Sequence, residues 1–370
     1  MRGRVPIYQQ VAQLLEARIE RGEYAVGQYL PPERDLAREL GVNRRTLRQA
    51  IGELVRRGLV RREARRGHRL IGSRGRAGGL LALIVYDMAR GSSAQMFQGC
   101  HQAVMRSGYH LIVCETWRGP RRDVGDETEQ LRRLIARPVD GIIAFMEPTA
   151  ENRALLELAL ARGIHVVQID RCLPGLECDY VGVDNVTAAA EIVRYLIELG
   201  HRRIGVVGTD PPASTTVERL TGYAQALAEV GLAPDPALAG TIPIRRPHPL
   251  LYRELVRRWQ ALPEPPTAVF ALNDEHAMRL IQAARAEGLD VPGDLSVVGF
   301  DNQPLATLVQ PPLTTVAQPF FHLGETSAQL LIDRLRGDQQ GPPRRILLPT
   351  QLVVRESAAA PRCCSLVKPS

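Results

Sequence analysis

Residues 30–60 read LPPERDLARELGVNRRTLRQAIGELVRRGLV, and the spacing of their apolar side chains decides the first domain. Leu47, Ala50, Ile51, Leu54 and Val55 recur at i, i+3, i+4, i+7 and i+8, which buries one stripe of a helix, while Arg45, Gln49 and Gly52 share the opposite face. Asn43 stands where a cap belongs. Upstream, Pro32 suits a helix's first turn, Glu33 and Asp35 lie near its positive end, Leu36 and Leu40 mark its inner face, and Gly41 its stop. Only GVN separates these two helices, the tight connection of a helix-turn-helix. Working outward, Ile7, Val11, Leu14, Leu15 and Ile19 predict the inner stripe of an earlier helix that Gly22 can close. On the other side, LVRREARRGHRLIG (59–72) alternates and turns about Arg66 and Gly67 as a hairpin does. The sum is a winged helix over residues 1–72.

Charge separates this unit from the rest. Residues 1–76 carry 18 Arg against 8 Asp plus Glu, a net of +10, so the remaining 294 residues, with 29 basic and 32 acidic side chains, net −3. A basic module on a nearly neutral one implies a polyanion partner for the first alone, because neutralised phosphates release counterions. Lys368 is the only lysine, which removes Schiff-base cofactors such as pyridoxal phosphate. The six cysteines, Cys100, Cys114, Cys172, Cys178, Cys363 and Cys364, lack zinc spacing and read as reduced thiols. No apolar run approaches a bilayer span and the N-terminus has no apolar segment behind its charges, so the expected location is the cytoplasm. No cofactor or metal is expected.

After SRGRAGG (73–79), small, basic and with little reason to pack, the pattern changes. LLALIVY, YHLIVCE, DGIIAFM, HVVQID, RIGVVG, TAVFAL and LSVVGFD are short, nearly continuous apolar runs separated by segments of helical periodicity. Strands apolar on both faces and alternating with helices imply parallel sheets covered by helices, hence an α/β body of two doubly wound subdomains. Ligands of such folds bind beyond the carboxyl ends of the strands. Polar residues stand there: Asp170 after HVVQI, Asn273 and Asp274 after TAVFAL, Asp301 after LSVVGF. Tyr86 and Asp87 follow the first run and could line the opposite wall, with Phe97 or Phe320 as a stacking ring. Asp274 reads rather as a cap of the helix that follows. His201, at a helix end, reads as a capping or packing residue.

Through LPPERDLARELGVNRRTLRQAIGELVRRGLV, the segment from Pro6 to Leu70 resembles the winged-helix head of the GntR family of bacterial transcription factors. Residues 80–357 resemble the sugar-sensing, periplasmic-binding-protein-like body of the LacI/GalR repressors, through DNVTAAAEIVRYLIELGHRRIGVVG, ERLTGYAQAL, TAVFALNDEHAM, VPGDLSVVGFDN and PPLTTVAQPFFHLGETSAQLL. The resemblance implies a first subdomain of about 80–183 plus 318–340, a second of about 184–316 plus 344–357, and a C-terminal tail, 358–370. It places Arg34, Arg44, Arg45, Thr46 and Arg48 at DNA-contacting positions, beside Asn43 and Gln49 on the same helix, with the wing around Arg65, Arg66, Gly67 and His68 reaching the minor groove or backbone. Two departures stand out: Asn43 replaces the usual Ser or Thr, and RRGHR lacks the usual GxGxxV spacing of the wing tip. In the body, Asp170, Arg219, Asn273, Asp301 and Gln318 match positions that commonly hold the effector.

An N-terminus pushed into a major groove offers free N–H groups to phosphate and arginine forks to guanine, and paired carboxylates, amides and an arginine suit the adjacent hydroxyls of a sugar. The resemblance therefore implies a homodimeric repressor on double-stranded operator DNA, governed by a mono- or disaccharide and independent of membranes. Two other classes compete. A sugar-binding transport component would need the missing signal segment, and a glycosidase could use paired carboxylates, although no Ser/His/Asp motif, phosphate loop or metal cluster accompanies them.

Overall fold

The computed structural model describes residues 6–20, 23–24, 27–56, 59–63, 66–70, 79–116, 124–137, 139–243 and 248–362. The expectations placed on Gly22, Arg65, Cys363, Cys364 and residues 73–78 fall outside them. The head consists of α1 (Ile7–Glu20), α2 (Glu33–Glu39), α3 (Arg44–Arg56), β1 (Val60–Glu63) and β2 (Gly67–Leu70). Leu47, Ala50, Ile51 and Leu54 of α3 meet Leu36 and Ala37 of α2 and Val11, Ala12, Leu15 and Ile19 of α1 in one core that the hairpin closes with Val60 and Leu70. Three expected core residues face outward instead: Ile7, Leu14 and Val55 are exposed. Leu14 and Val55 each adjoin a residue that is truly buried, Leu15 and Leu54, and one residue is a 100° step around a helix. Ile7 opens the first turn, ahead of its partners. Gly41, at φ +64°, makes the turn between α2 and α3, and the hairpin pairs Val60 with Leu70 and Glu63 with Gly67.

The body continues as β3 (Leu80–Val85), α4 (Gly91–Met105), β4 (His110–Glu115), α5 (Val124–Ile135), β5 (Gly141–Ala144), α6 (Ala150–Ala161), β6 (His165–Ile169), β7 (Asp179–Val183), α7 (Asn185–Glu198), β8 (Ile204–Asp210), α8 (Ser214–Ala228), β9 (Ala239–Pro243), α9 (Pro249–Gln260), β10 (Ala268–Ala271), α10 (Asp274–Ala286), β11 (Ser296–Val298), β12 (Thr315–Ala317), α11 (Phe320–Arg336), β13 (Arg345–Leu348) and β14 (Gln351–Val353). Two parallel sheets result, one ordered β13-β7-β6-β5-β3-β4 and the other β11-β10-β8-β9. Each has apolar residues packed on both faces, as strands apolar throughout require. The chain passes between the sheets after β7, through β12, and between β13 and β14, where β12 and β14 pair antiparallel.

Three boundaries differ from the sequence reading. β13 pairs with β7 in the first sheet, so residues 345–348 do not belong to the second subdomain. Gly79 is packed, not linking: its carbonyl accepts from His110 N at 2.8 Å, and a Cβ there would fall 2.7 Å from Asp140. The start of the supposed tail is also fixed, with Ala358 in the second core and the Ala359 carbonyl 2.8 Å from His201 Nε2. His201 is buried between that carbonyl and the Thr267 hydroxyl, a packing role as expected. Among the described residues no helix is long and apolar enough to cross a membrane.

Candidate functional site

In the head, the Asn43 side chain accepts from Thr46 N at 2.8 Å, fixing the start of α3. Arg44, Arg45, Arg48 and Gln49 are exposed there and Thr46 is half-buried, so the positive end of the helix and its arginines share one outer surface. Arg34 and Arg66 are exposed, and Gly67 takes φ +104° at the tip of the hairpin. Arg48 and His68 are less free than expected. Arg48 Nε donates to Glu33 Oε2 at 2.6 Å, and His68 Nε2 lies 3.3 Å from Glu33 Oε1, so one carboxylate ties the helix to the wing. Burial pushes the Glu33 carboxyl upward, yet the Arg48 and His68 contacts outweigh it and leave its pKa below the ordinary range. The sequence marks Glu33 only as a helix-dipole residue; its place next to Pro32 carries no sign of this bridge.

In the body, Arg219 of α8 is the hub. Its Nε donates to Asn185 Oδ1 at 2.9 Å, its Nη1 donates to the Leu272 carbonyl at 2.6 Å and lies 3.4 Å from Asp301 Oδ1, and its guanidinium stacks 3.8 Å from the Phe300 ring centroid. Gln318 Nε2 donates to Asp301 Oδ1 at 2.7 Å. Asp170 faces the same charges: burial raises its pKa, and Arg219 and Arg171 pull it back. Asp301 is pushed up to about 6 by burial, with Arg219 opposing and Asp170 adding. Asp170 Oδ1 and Gln318 Oε1 are buried without a protein partner, two acceptors that a hydroxyl donor would satisfy. Asp170 (φ 61°), Asp301 (φ 117°) and Asn302 (φ 54°) are the non-glycine residues with positive φ among those described, and such strain concentrates where side chains are aimed at ligands.

The structure thus brings Asp170, Arg219, Asp301 and Gln318 together, with Asn273 beside them through Leu272. Asn273 has a second duty, because its Oδ1 caps α10 by accepting from His276 N at 2.8 Å; the cap role expected of Asp274 is therefore its neighbour's. The wall expected from β3 is partly committed elsewhere. Tyr86 is buried under Arg90, whose guanidinium lies 5.0 Å from the ring centroid, and Asp87 accepts from Ala89 N at 2.9 Å within its own loop. Phe97, partly buried, packs on the first subdomain's core beside His101, and Phe320 is buried in that core, which leaves Phe97 as the one of the two with an open side. The rings against the charged groups are Phe300 under Arg219 and Phe145 under Arg171, at 4.6 Å.

Sequence reasoning missed Arg171, Glu147, Asn185 and the Arg90–Glu275 pair. Arg171, half-buried, donates to the buried Glu147, and its Nε has no partner; it immediately follows Asp170, so the rule of residues beyond strand ends could have found it. Arg90 Nη2 reaches Glu275 Oε2 at 2.9 Å and Cys172 N donates to Ser214 Oγ at 3.0 Å, two contacts that join the subdomains.

Comparison with known proteins fits both halves. Residues 7–70 match the family described as bacterial regulatory proteins, gntR family, and residues 193–358 match the periplasmic binding protein-like domain. The chain is 31% identical to the HTH-type transcriptional regulator DegA of Bacillus subtilis (strain 168) over 287 residues, 77% of this chain and 82% of that protein. It is 28% identical to the arabinose metabolism transcriptional repressor of Geobacillus stearothermophilus over 366 residues, 95% of this chain and 98% of that one. Among solved structures, the transcriptional regulator CelR in complex with cellobiose superposes with a TM-score of 0.67 at 26% identity, covering 89% of this chain and 100% of that one.

Proposed function

Because the chain belongs to the HTH-type transcriptional regulators, with a gntR-family head on a periplasmic-binding-protein-like body, we propose that it is a cytoplasmic repressor whose hold on operator DNA is set by a sugar in the body's cleft. Two heads of a homodimer bind the half-sites of a pseudo-palindrome, each presenting the N-terminus of α3 to the major groove and its wing to the neighbouring backbone. Arg44, Arg45 and Arg48 supply guanine-edge and phosphate contacts. Arg34, Asn43, Thr46, Gln49, Arg66, Gly67 and His68 complete the face.

The cleft carries the second half of the reading. Its most telling observation is the pair of buried, unpartnered acceptors, Asp170 Oδ1 and Gln318 Oε1, beside the Arg219–Asp301 ion pair. Acceptors left bare in a low dielectric are costly, and a polyol donates to both while its ring oxygen or a further hydroxyl accepts from Arg219. No chemical step is proposed for these acids; they bind. Sugar and operator must then bias one another by the same factor, whichever the sign. The relatives named for arabinose metabolism and the cellobiose complex support a neutral sugar as the ligand class.

The deciding experiment selects operator sequences from random duplexes with the full chain, then titrates neutral sugars into the complex. The expected result is a two-half-site consensus whose affinity changes with one sugar. Selection that yields no consensus overturns the regulator reading, and a consensus insensitive to every sugar overturns the sensor.

A further inference from the structure

The first turn of α10 carries a buried acid, Asp274, that does not cap the helix. We propose that Asp274 is a positioning residue for the effector-holding carboxylate of Asp301, clamping the Asp301–Asn302 turn through Gln303 on one side and Thr315 on the other. The proposal rests on the reading that Asp301 contacts the effector.

Asp274 is 1% exposed and both of its oxygens are occupied, Oδ2 by Gln303 N at 2.6 Å and Oδ1 by the Thr315 hydroxyl at 2.5 Å. Its own N–H donates to the Phe300 carbonyl at 2.8 Å. One residue therefore holds the chain immediately before the turn and immediately after it, and anchors both to β12. Between those anchors lie Asp301 at φ 117° and Asn302 at φ 54°, conformations that persist only where the surroundings over-determine them. Gly299 leaves the space, since a Cβ there would come within 2.4 Å of Asp274 Oδ1.

A helix-capping role does not explain this carboxylate, because Asn273 performs it. A buried acid is expensive unless its hydrogen bonds fix something. What these bonds fix is the direction of Asp301, whose carboxylate then meets Gln318 Nε2 at 2.7 Å and Arg219 at 3.4 Å, while its backbone N–H donates to Val316 at 2.8 Å. Arg355, which donates to Asn302 Oδ1 at 2.7 Å and to the Leu313 carbonyl, supports the same turn independently, so loss of the Asp274 clamp loosens Asp301 without dismantling the subdomain.

The test measures Kd by calorimetry on the full chain, well below its melting temperature, with L-arabinose, D-ribose and cellobiose as probes. For a probe that the wild type binds, Asp274→Asn, which keeps the volume but offers one acceptor in place of two, is expected to raise Kd about tenfold. Thr315→Val should weaken binding in the same direction, and Thr315→Ser, which keeps the hydroxyl, should stay within about twofold of wild type. A role in folding alone would lower the melting temperature and leave Kd unchanged, and that outcome overturns the proposal. If none of the three probes binds the wild type, the sugar-sensor reading fails and the inference falls with it.

Discussion

Arg219 Nη1 lies 3.4 Å from Asp301 Oδ1, the arginine buried flat against Phe300 and the carboxylate largely covered. A pair of this kind is weak evidence for stability, but removing one partner strands the other charge in a low dielectric. Arg219→Met is therefore expected to cost about 3 kcal/mol of stability and to abolish sugar binding. Arg219→Lys should keep more stability yet still lose the ligand, since a compact ammonium cannot span Asn185 on one side and Leu272 and Asp301 on the other, or stack on Phe300, as the planar guanidinium does. Denaturant unfolding and calorimetry on the two variants check this. A lysine variant that binds sugar as tightly as wild type would remove Arg219 from the site.

The acids make a pH prediction. Burial, with the Asp301 charge second, pushes the Asp274 carboxyl up to about 7, whereas an unfolded aspartate titrates near 4. Between those values the folded state holds a proton that the unfolded state has released, so stability is greatest at low pH and falls as pH rises toward 7, by up to about 1.4 kcal/mol per pH unit for a whole proton. Asp274→Asn cannot titrate. The stability of wild type relative to this variant should decline from pH 5 to pH 8, read from unfolding midpoints of the full chain. A difference that is flat across that range contradicts the raised value.

The head offers a cleaner separation. The Asn43 cap bond to Thr46 N, at 2.8 Å, sits at the end of α3 that reaches DNA. Asn43→Ala is expected to destabilise the head by about 1 kcal/mol, with Asn43→Ser close to neutral. Leu47→Ala, at a fully buried position, should cost about 2–5 kcal/mol and leave sugar affinity untouched, because Leu47 belongs to the head's own core. Calorimetric scanning should show only the head's transition moving.

Arg45→Ala tests the exposed face. Loss of one phosphate contact lowers the slope of log affinity against log salt by about 0.9, and loss of a guanine fork costs about 1–3 kcal/mol on the selected operator alone. Filter binding over a salt series distinguishes the two. No change in either overturns Arg45 as a contact.

Periodicity made much of this molecule legible. All seven apolar runs are strands, and Leu36, Leu47, Ile51 and Leu54 are buried as their spacing requires. Periodicity names a face, however, and not its edges, which is why Leu14 and Val55 were misassigned. β9 (AGTIP) and β13 (RILL) have no comparably long apolar run and owe their state to strands β8 and β7 beside them. Strand ends and resemblance point to Asp170, Arg219, Asp301 and Gln318, but they make Asp274 a cap, because sequence shows a carboxylate near a helix start without showing which N–H it meets. Glu33 and Glu275 escaped for the same reason, each partner being distant along the chain.

The Arg90–Glu275 contact joins the two subdomains at 2.9 Å, with both side chains partly exposed. Such a pair is worth roughly 0–1 kcal/mol and is screened by salt, so it can bias closure without locking it. Arg279 also reaches Glu275, at 3.1 Å within α10, so Arg90→Gln, which spares that pair, is the variant that breaks the bridge while leaving α10 intact. The expected effect is a faster sugar off-rate, up to about fivefold, with the on-rate little changed. The effect should shrink in high salt, where the wild-type pair is itself weakened. Stopped-flow release at low and high ionic strength measures it. An off-rate that is unchanged at low salt would mean that the bridge forms without holding the subdomains together.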